Sequence, residues 1–223
     1  MTGIGKRLVR LTLAVALLLG LFLAVYLPAF GIVAALHLTV NRAVPAIIVL
    51  TLLAAALLIL GIARRKALPV AAFGFRTGDK RYIAYAVALG LPLSVIAAVL
   101  LDHRREPGPL AGVHIAPWLT YAYFGFAAPV QEEVIFRGLL QTTYAMNLES
   151  LRVTTQNPGR IAVLVVAALF AAIHLEVGPL TATCAFVLAI MAGELRQRSG
   201  SLSPAIVCHS LFNVVGIVRV LSA

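Results

Sequence analysis

The chain has 223 residues, of which 61% are hydrophobic and 12% charged, with a mean hydropathy of +1.00. Soluble domains run near ~45–50% apolar and ~25% charged, which excludes a water-soluble globule, and disordered chains have the reverse composition. The net charge of +10 therefore belongs in short loops between membrane spans, where it sets orientation and does not bind nucleic acid. Arginine dominates the cations and Ala and Val are abundant, a bias that points to a GC-rich bacterial source and so to a bacterial plasma membrane. Cys184 and Cys208 both fall in apolar runs without a CxxC spacing and read as small core residues.

A bilayer core takes ~20 helical residues. Apolar stretches of that order lie at 8–36, 45–63, 82–101, 117–147, 160–175, 179–195 and 203–222. The expected architecture is an all-α, polytopic transmembrane bundle of seven spans enclosing a polar cavity, in one helical membrane domain covering 1–223. A break near Pro129 would raise the number of helical pieces to eight. The first stretch follows Lys6, Arg7 and Arg10, but its apolar run far exceeds the ~7–15 residues of a signal peptide, so it reads as a retained anchor. Thirteen cations fall on one side: the N-terminus, the 64–81 loop, the 148–160 loop and a turn at 196–198. Four (Arg42, Arg104, Arg105, Arg219) fall on the other. That split predicts a cytoplasmic N-terminus. A reporter fused after Lys66 is expected to read as cytoplasmic and one near Glu106 as external; the opposite result would overturn the topology.

Ionisable groups inside spans are costly, at least ~2.5–3.5 kcal/mol each at mid-membrane, and usually face a working cavity. Asp79, Asp102, Glu106, Glu149 and Glu176 sit in loops or at interfaces, and Glu194 stands at a helix end beside Arg196. Glu132 and Glu133 are adjacent inside the fourth stretch, with Arg137 four residues after Glu133. The i,i+4 spacing pairs Glu133 with Arg137 and leaves Glu132, rotated by ~100°, without that partner. His37, His103 and His114 lie in or near outer loops and read as solvated surface. His174 lies in the fifth stretch, four residues after Phe170, and His209 in the seventh, four residues before Asn213. Two histidines, an asparagine and an unpaired glutamate in an apolar bundle point to one polar cavity.

In that order on successive hydrophobic segments, Glu132-Glu133-x-x-x-Arg137, Phe170-x-x-x-His174 and His209-x-x-x-Asn213 resemble the motifs of the CPBP intramembrane proteases. That family includes the Ras-converting CAAX endopeptidases and the bacteriocin-processing proteins once called abortive-infection proteins. The run Arg198-Ser-Gly-Ser-Leu-Ser-Pro-Ala-Ile-Val-Cys-His209 is similar to the turn that leads into the last motif. The resemblance covers about 117–213, a family-like catalytic core. It implies an endopeptidase acting on membrane-associated peptides or proteins, with Glu132 as the base that activates water. Glu133 and Arg137 would be a supporting buried pair and Phe170 a pocket wall. His174 would position the water, and His209 and Asn213 would stabilise the oxyanion.

Glu132, His174 and His209 would also make a three-ligand set for catalytic zinc. The absence of HExxH and the presence of Asn213 beside His209 favour the glutamate mechanism without a metal. Two other functions fit an intramembrane Glu/His network: a non-enzymatic immunity or scaffold protein, and a small proton-coupled transporter, although no repeated halves are visible. Helix lengths raise a depth problem. At ~1.5 Å per residue, Glu132 and His174 lie about 22 and 21 Å from the cytoplasmic end, and His209 only about 9 Å. His209 reaches the others only if its helix starts below the surface, for example through a re-entering 199–203 segment.

Overall fold

The computed structural model describes residues 3–104, 116–153 and 157–222, with backbone alone at 3–4, 102–104 and 219–222. His114, Arg105 and Glu106 lie outside the described residues, as do the side chains of Asp102, His103, Arg104 and Arg219. No strand occurs among the described residues. Seven helices do: α1 Gly3–Ala35, α2 Val40–Arg65, α3 Lys80–Arg104, α4 at 117–150, α5 Pro158–Ala172, α6 Pro179–Ser199 and α7 Ser203–Ser222. They follow the seven apolar stretches of the sequence one for one.

Four segments are long and apolar enough to cross a bilayer: Gly5–Ala35, Val40–Arg65, Lys80–Leu101 and Pro179–Ser199. Their outward side chains stay apolar. Leu27, Leu57 and Val99 are each more than half exposed, which suits lipid and not water. The protein is an integral membrane protein. Helix α4 is the opposite case, since every residue from Val134 to Gln141 is buried. It is the central rod of the bundle, packed by α1, α2, α5, α6 and α7.

Local sequence sets the helix ends. Asn157 caps α5, its side chain accepting from the Gly159 and Arg160 amides with Pro158 in the first turn. Helix α6 stops at Gly200, which takes the left-handed conformation (φ 71°) that glycine adopts without strain. Gly90 lets α3 press against α7, because a Cβ there would sit 2.9 Å from the Cys208 carbonyl. Cys208 and Cys184 are both buried.

Four sequence expectations need correction. Helix α4 does not break at Pro129; it stays right-handed helical throughout and instead widens to π winding over Tyr121–Ala127 and again over Val134–Gln141. The 196–198 segment is not a turn but the last turns of α6. There Arg196 is buried and donates to the Ala72 carbonyl, while Glu194 pairs with Arg198 and not with Arg196, because i,i+4 residues share a face. His174 lies just beyond α5, in the turn that follows Ala172. Finally, the turn leading into α7 is buried: Ser201 and Leu202 are covered by the 70–78 segment through Leu202 N–H to Gly74 O and Ser201 Oγ to Arg76 O. Helix α7 thus starts packed against the 70–78 segment, and the hydrogen bond from His209 to Glu133 puts the two side chains at one level of the bundle.

Candidate active site

The π-wound α4 carries Gln131, Glu132 and Glu133 into the middle of the bundle. Glu133 is fully buried. Its Oε2 lies 3.2 Å from Arg137 Nε, near enough for an ion pair but off the hydrogen-bonding line, since neither atom has a hydrogen-bond partner. Its Oε1 accepts from His209 Nδ1 at 2.8 Å. A carboxylate can only accept, so this bond places a proton on Nδ1 and turns Nε2 toward Glu132, 3.6 Å from Oε2. Glu133 is therefore more than the partner of Arg137. It also sets the ring of His209, and the sequence spacing gave no sign of that contact between residues 76 positions apart.

Phe170 packs this cluster from the side. Its ring meets His209 and Phe136 edge-on, at 5.8 and 4.9 Å between centroids, and His174 at 4.6 Å. The Arg137 guanidinium lies 5.5 Å from the same ring, a cation–π contact that helps to hold a buried charge. The turn after α5 orients His174, whose Nδ1–H donates to the Phe170 carbonyl at 2.7 Å. That leaves its Nε2 uncommitted.

Asn213 has an unexpected partner, the Phe124 carbonyl, to which its Nδ2 donates at 2.8 Å. The cause is in α4. In the first π-wound stretch the Ala128 amide bonds the Tyr123 carbonyl, five residues back. The next rung would join residue 129 to Phe124, but Pro129 has no N–H. The Phe124 carbonyl is thereby left without its helical donor, and Asn213 supplies one. A buried carbonyl is seldom left unpaired.

Glu132, His174, His209 and Asn213 all line one cavity of about 370 Å³, together with Phe170, and all but Phe170 present polar groups. The rest of the wall is largely apolar, with Ser94, Glu176 and Thr181 as further polar lining, so these groups stand in a mostly greasy chamber and not the generally polar cavity that the sequence suggests. Arg137 and Glu133 support that patch from behind. Two contributors were missed. Tyr26 of α1 lines the cavity near Gln131 and Glu132. Gln131 also donates to Thr51 of α2 at 2.9 Å. The only hint in the sequence was a lone tyrosine in an otherwise apolar span. His37, by contrast, is exposed.

Glu132, His174 and His209 do not form a metal cage as arranged. Among the described residues no three His, Cys, Asp or Glu side chains are grouped to hold a metal ion.

Residues 114–215 match the family model of the type II CAAX prenyl endopeptidase, Rce1-like. This segment is similar to an Rce1-like domain. It contains all of α4 and α7 as far as Val215, and with them every residue of the patch on those helices and on the α5–α6 turn. An Rce1-like domain is, at the level of the family, a membrane protease domain, and it bears out the CPBP likeness of the three motifs. Neither a curated protein nor a solved structure matches the chain.

Proposed function

We propose that the protein is an intramembrane endopeptidase that hydrolyses peptide bonds of membrane-associated substrates with a water activated by Glu132. The observation that carries this reading is the line Glu133–His209–Glu132. One carboxylate is fully buried and pinned by Arg137, the other faces the cavity, and an imidazole of defined orientation stands between them. An ion cluster made only for packing does not need a carboxylate that ends in a chamber.

In this mechanism Glu132 takes a proton from water, the hydroxide attacks the carbonyl carbon, and Glu132 returns the proton to the leaving amine. His174 Nε2 holds the water. His209, with Nδ1–H fixed on Glu133, donates from Nε2 in its doubly protonated form. Its charge and that of Arg137 then balance the two carboxylates. Asn213 spends one N–H on Phe124 and has a second to offer the oxyanion. Losing such a donor typically costs ~10²–10³ in rate, so Asn213→Ala and His209→Ala are both expected to lower kcat by that order.

The same reading has all seven helices spanning the bilayer, with the shorter α5 and α7 shielded by their neighbours. Comparing the membrane proteomes of cells carrying the wild type and Glu132→Ala should reveal the substrates as precursors that accumulate only in the variant; if none accumulates, the enzymatic reading fails. Metal removal is a separate test. Because a Glu132-activated water needs no metal, activity of the purified protein is expected to survive a strong chelator. Loss of activity that added zinc restores would refute the metal-free mechanism.

Pro129 gives a finer check on Asn213. Pro129→Ala restores an N–H for the Phe124 carbonyl and so competes with the Asn213 amide. We expect kcat to fall several-fold while thermal stability holds or rises, whereas an Asn213 that merely satisfies Phe124 would leave kcat unchanged.

A further inference from the structure

The cavity has a direction. Its innermost wall is the patch at Gln131, Glu132 and His209, and its other lining residues include Leu101 near the end of α3, Phe124 near the start of α4, Glu176 and Val177 in the α5–α6 turn, and Ile217 toward the end of α7. All of these lie at one end of the bundle, and Glu176 is exposed there. Toward the opposite end the way is closed. Phe73, Leu139, Leu140 and Ser201 are fully buried, and the 70–78 segment is hydrogen-bonded down onto the turn between α6 and α7.

The closed end is also the basic end. It holds Arg64 and Arg65 in the last turn of α2 and Lys66 just after it, Arg76 before α3, Lys80 and Arg81 at the start of α3, and Arg198 at the end of α6. Helix α1 packs against Thr142–Ser150, with Ala14 and Leu18 in the same core as Leu148, which brings the cationic start of α1 to that end as well. Cations within reach of span ends are retained on the cytoplasmic side. The open rim therefore faces away from the cytoplasm.

We infer that the site is entered from the non-cytoplasmic face, and that its substrates are exported or surface-anchored polypeptides whose scissile bond lies at the outer leaflet, with an apolar residue entering the chamber. This rests on the protease reading for the word substrate, but the sidedness is independent of any activity.

The test uses the full chain in spheroplasts of a bacterial host, labelled with a membrane-impermeant maleimide and scored above the wild-type background from Cys184 and Cys208. Glu176→Cys and Arg42→Cys are expected to label in intact spheroplasts, and Lys66→Cys only after permeabilisation. Two rim variants are used so that poor accumulation of one does not void the result. Labelling of Lys66→Cys from outside with protection of both rim positions would overturn the inference. In parallel, precursors that accumulate with Glu132→Gln should be exported proteins; if they are exclusively cytoplasmic-face proteins, the substrate class is wrong. Rim labelling from outside with no precursor at all would instead sink the protease reading and leave the sidedness standing.

Discussion

Glu132→Gln is expected to abolish cleavage, with kcat falling by at least ~10²–10⁴, the usual worth of a positioned general base, while the protein melts as the wild type does. Glutamine keeps the size of the side chain and its place on the cavity wall but cannot take a proton from water. Among the described residues the ion-pair partner of Glu132 is His209 Nε2 at 3.6 Å, too long for a strong hydrogen bond, so folding should not depend on its charge. The loss should appear in kcat and not in KM, since the group acts only when the proton moves. A Glu132→Gln protein that still cuts a membrane peptide would remove the base from the mechanism.

Glu133→Gln should behave differently from its neighbour one position away. Arg137 is 1% exposed, and removing the partner of a buried ion typically costs ~3–5 kcal/mol. The same carboxylate holds His209 Nδ1, so stability and activity should fall together. Replacing both partners with apolar residues, as in Glu133→Leu with Arg137→Met, is expected to recover much of the stability because no buried charge is left alone. Activity should not return, since His209 would still lack its anchor. Thermal melting in detergent and peptide cleavage on the same preparations separate the two effects. A Glu133→Gln protein as stable as the wild type would argue against the pairing.

The contrast between these two glutamates marks how far the sequence could be read. The spacing of Glu133 and Arg137 is a property of one helix, and it survived into the structure as a 3.2 Å ion pair. So did the alignment of Phe170 with His174, now joined through the Phe170 carbonyl. Local periodicity could not foresee the second bond of Glu133, to a histidine on α7, or the arrival of Tyr26 and Thr51 from the first two helices. Asn213 is the clearest case. Its place one turn after His209 was plain, yet its partner depends on a π-wound turn on another helix and on the missing N–H of Pro129.

By itself the sequence determined a membrane-embedded all-helical chain, seven helical segments, the candidate residues and a strong charge asymmetry. These follow from composition, apolar run length and i,i+4 spacing, which are short-range and readable along the chain. Only the tertiary structure decided which residues meet. It showed that the turn into α7 packs against the 70–78 segment, that His209 meets Glu133, and that the chamber is mostly apolar. It also showed that the chamber closes toward the basic end. The physical reason is that in an apolar bundle nearly every side chain is compatible with burial against nearly every other. Pairing is then chosen by the few polar groups that must find partners, and those partners lie 76 and 89 residues apart, beyond the reach of any local pattern.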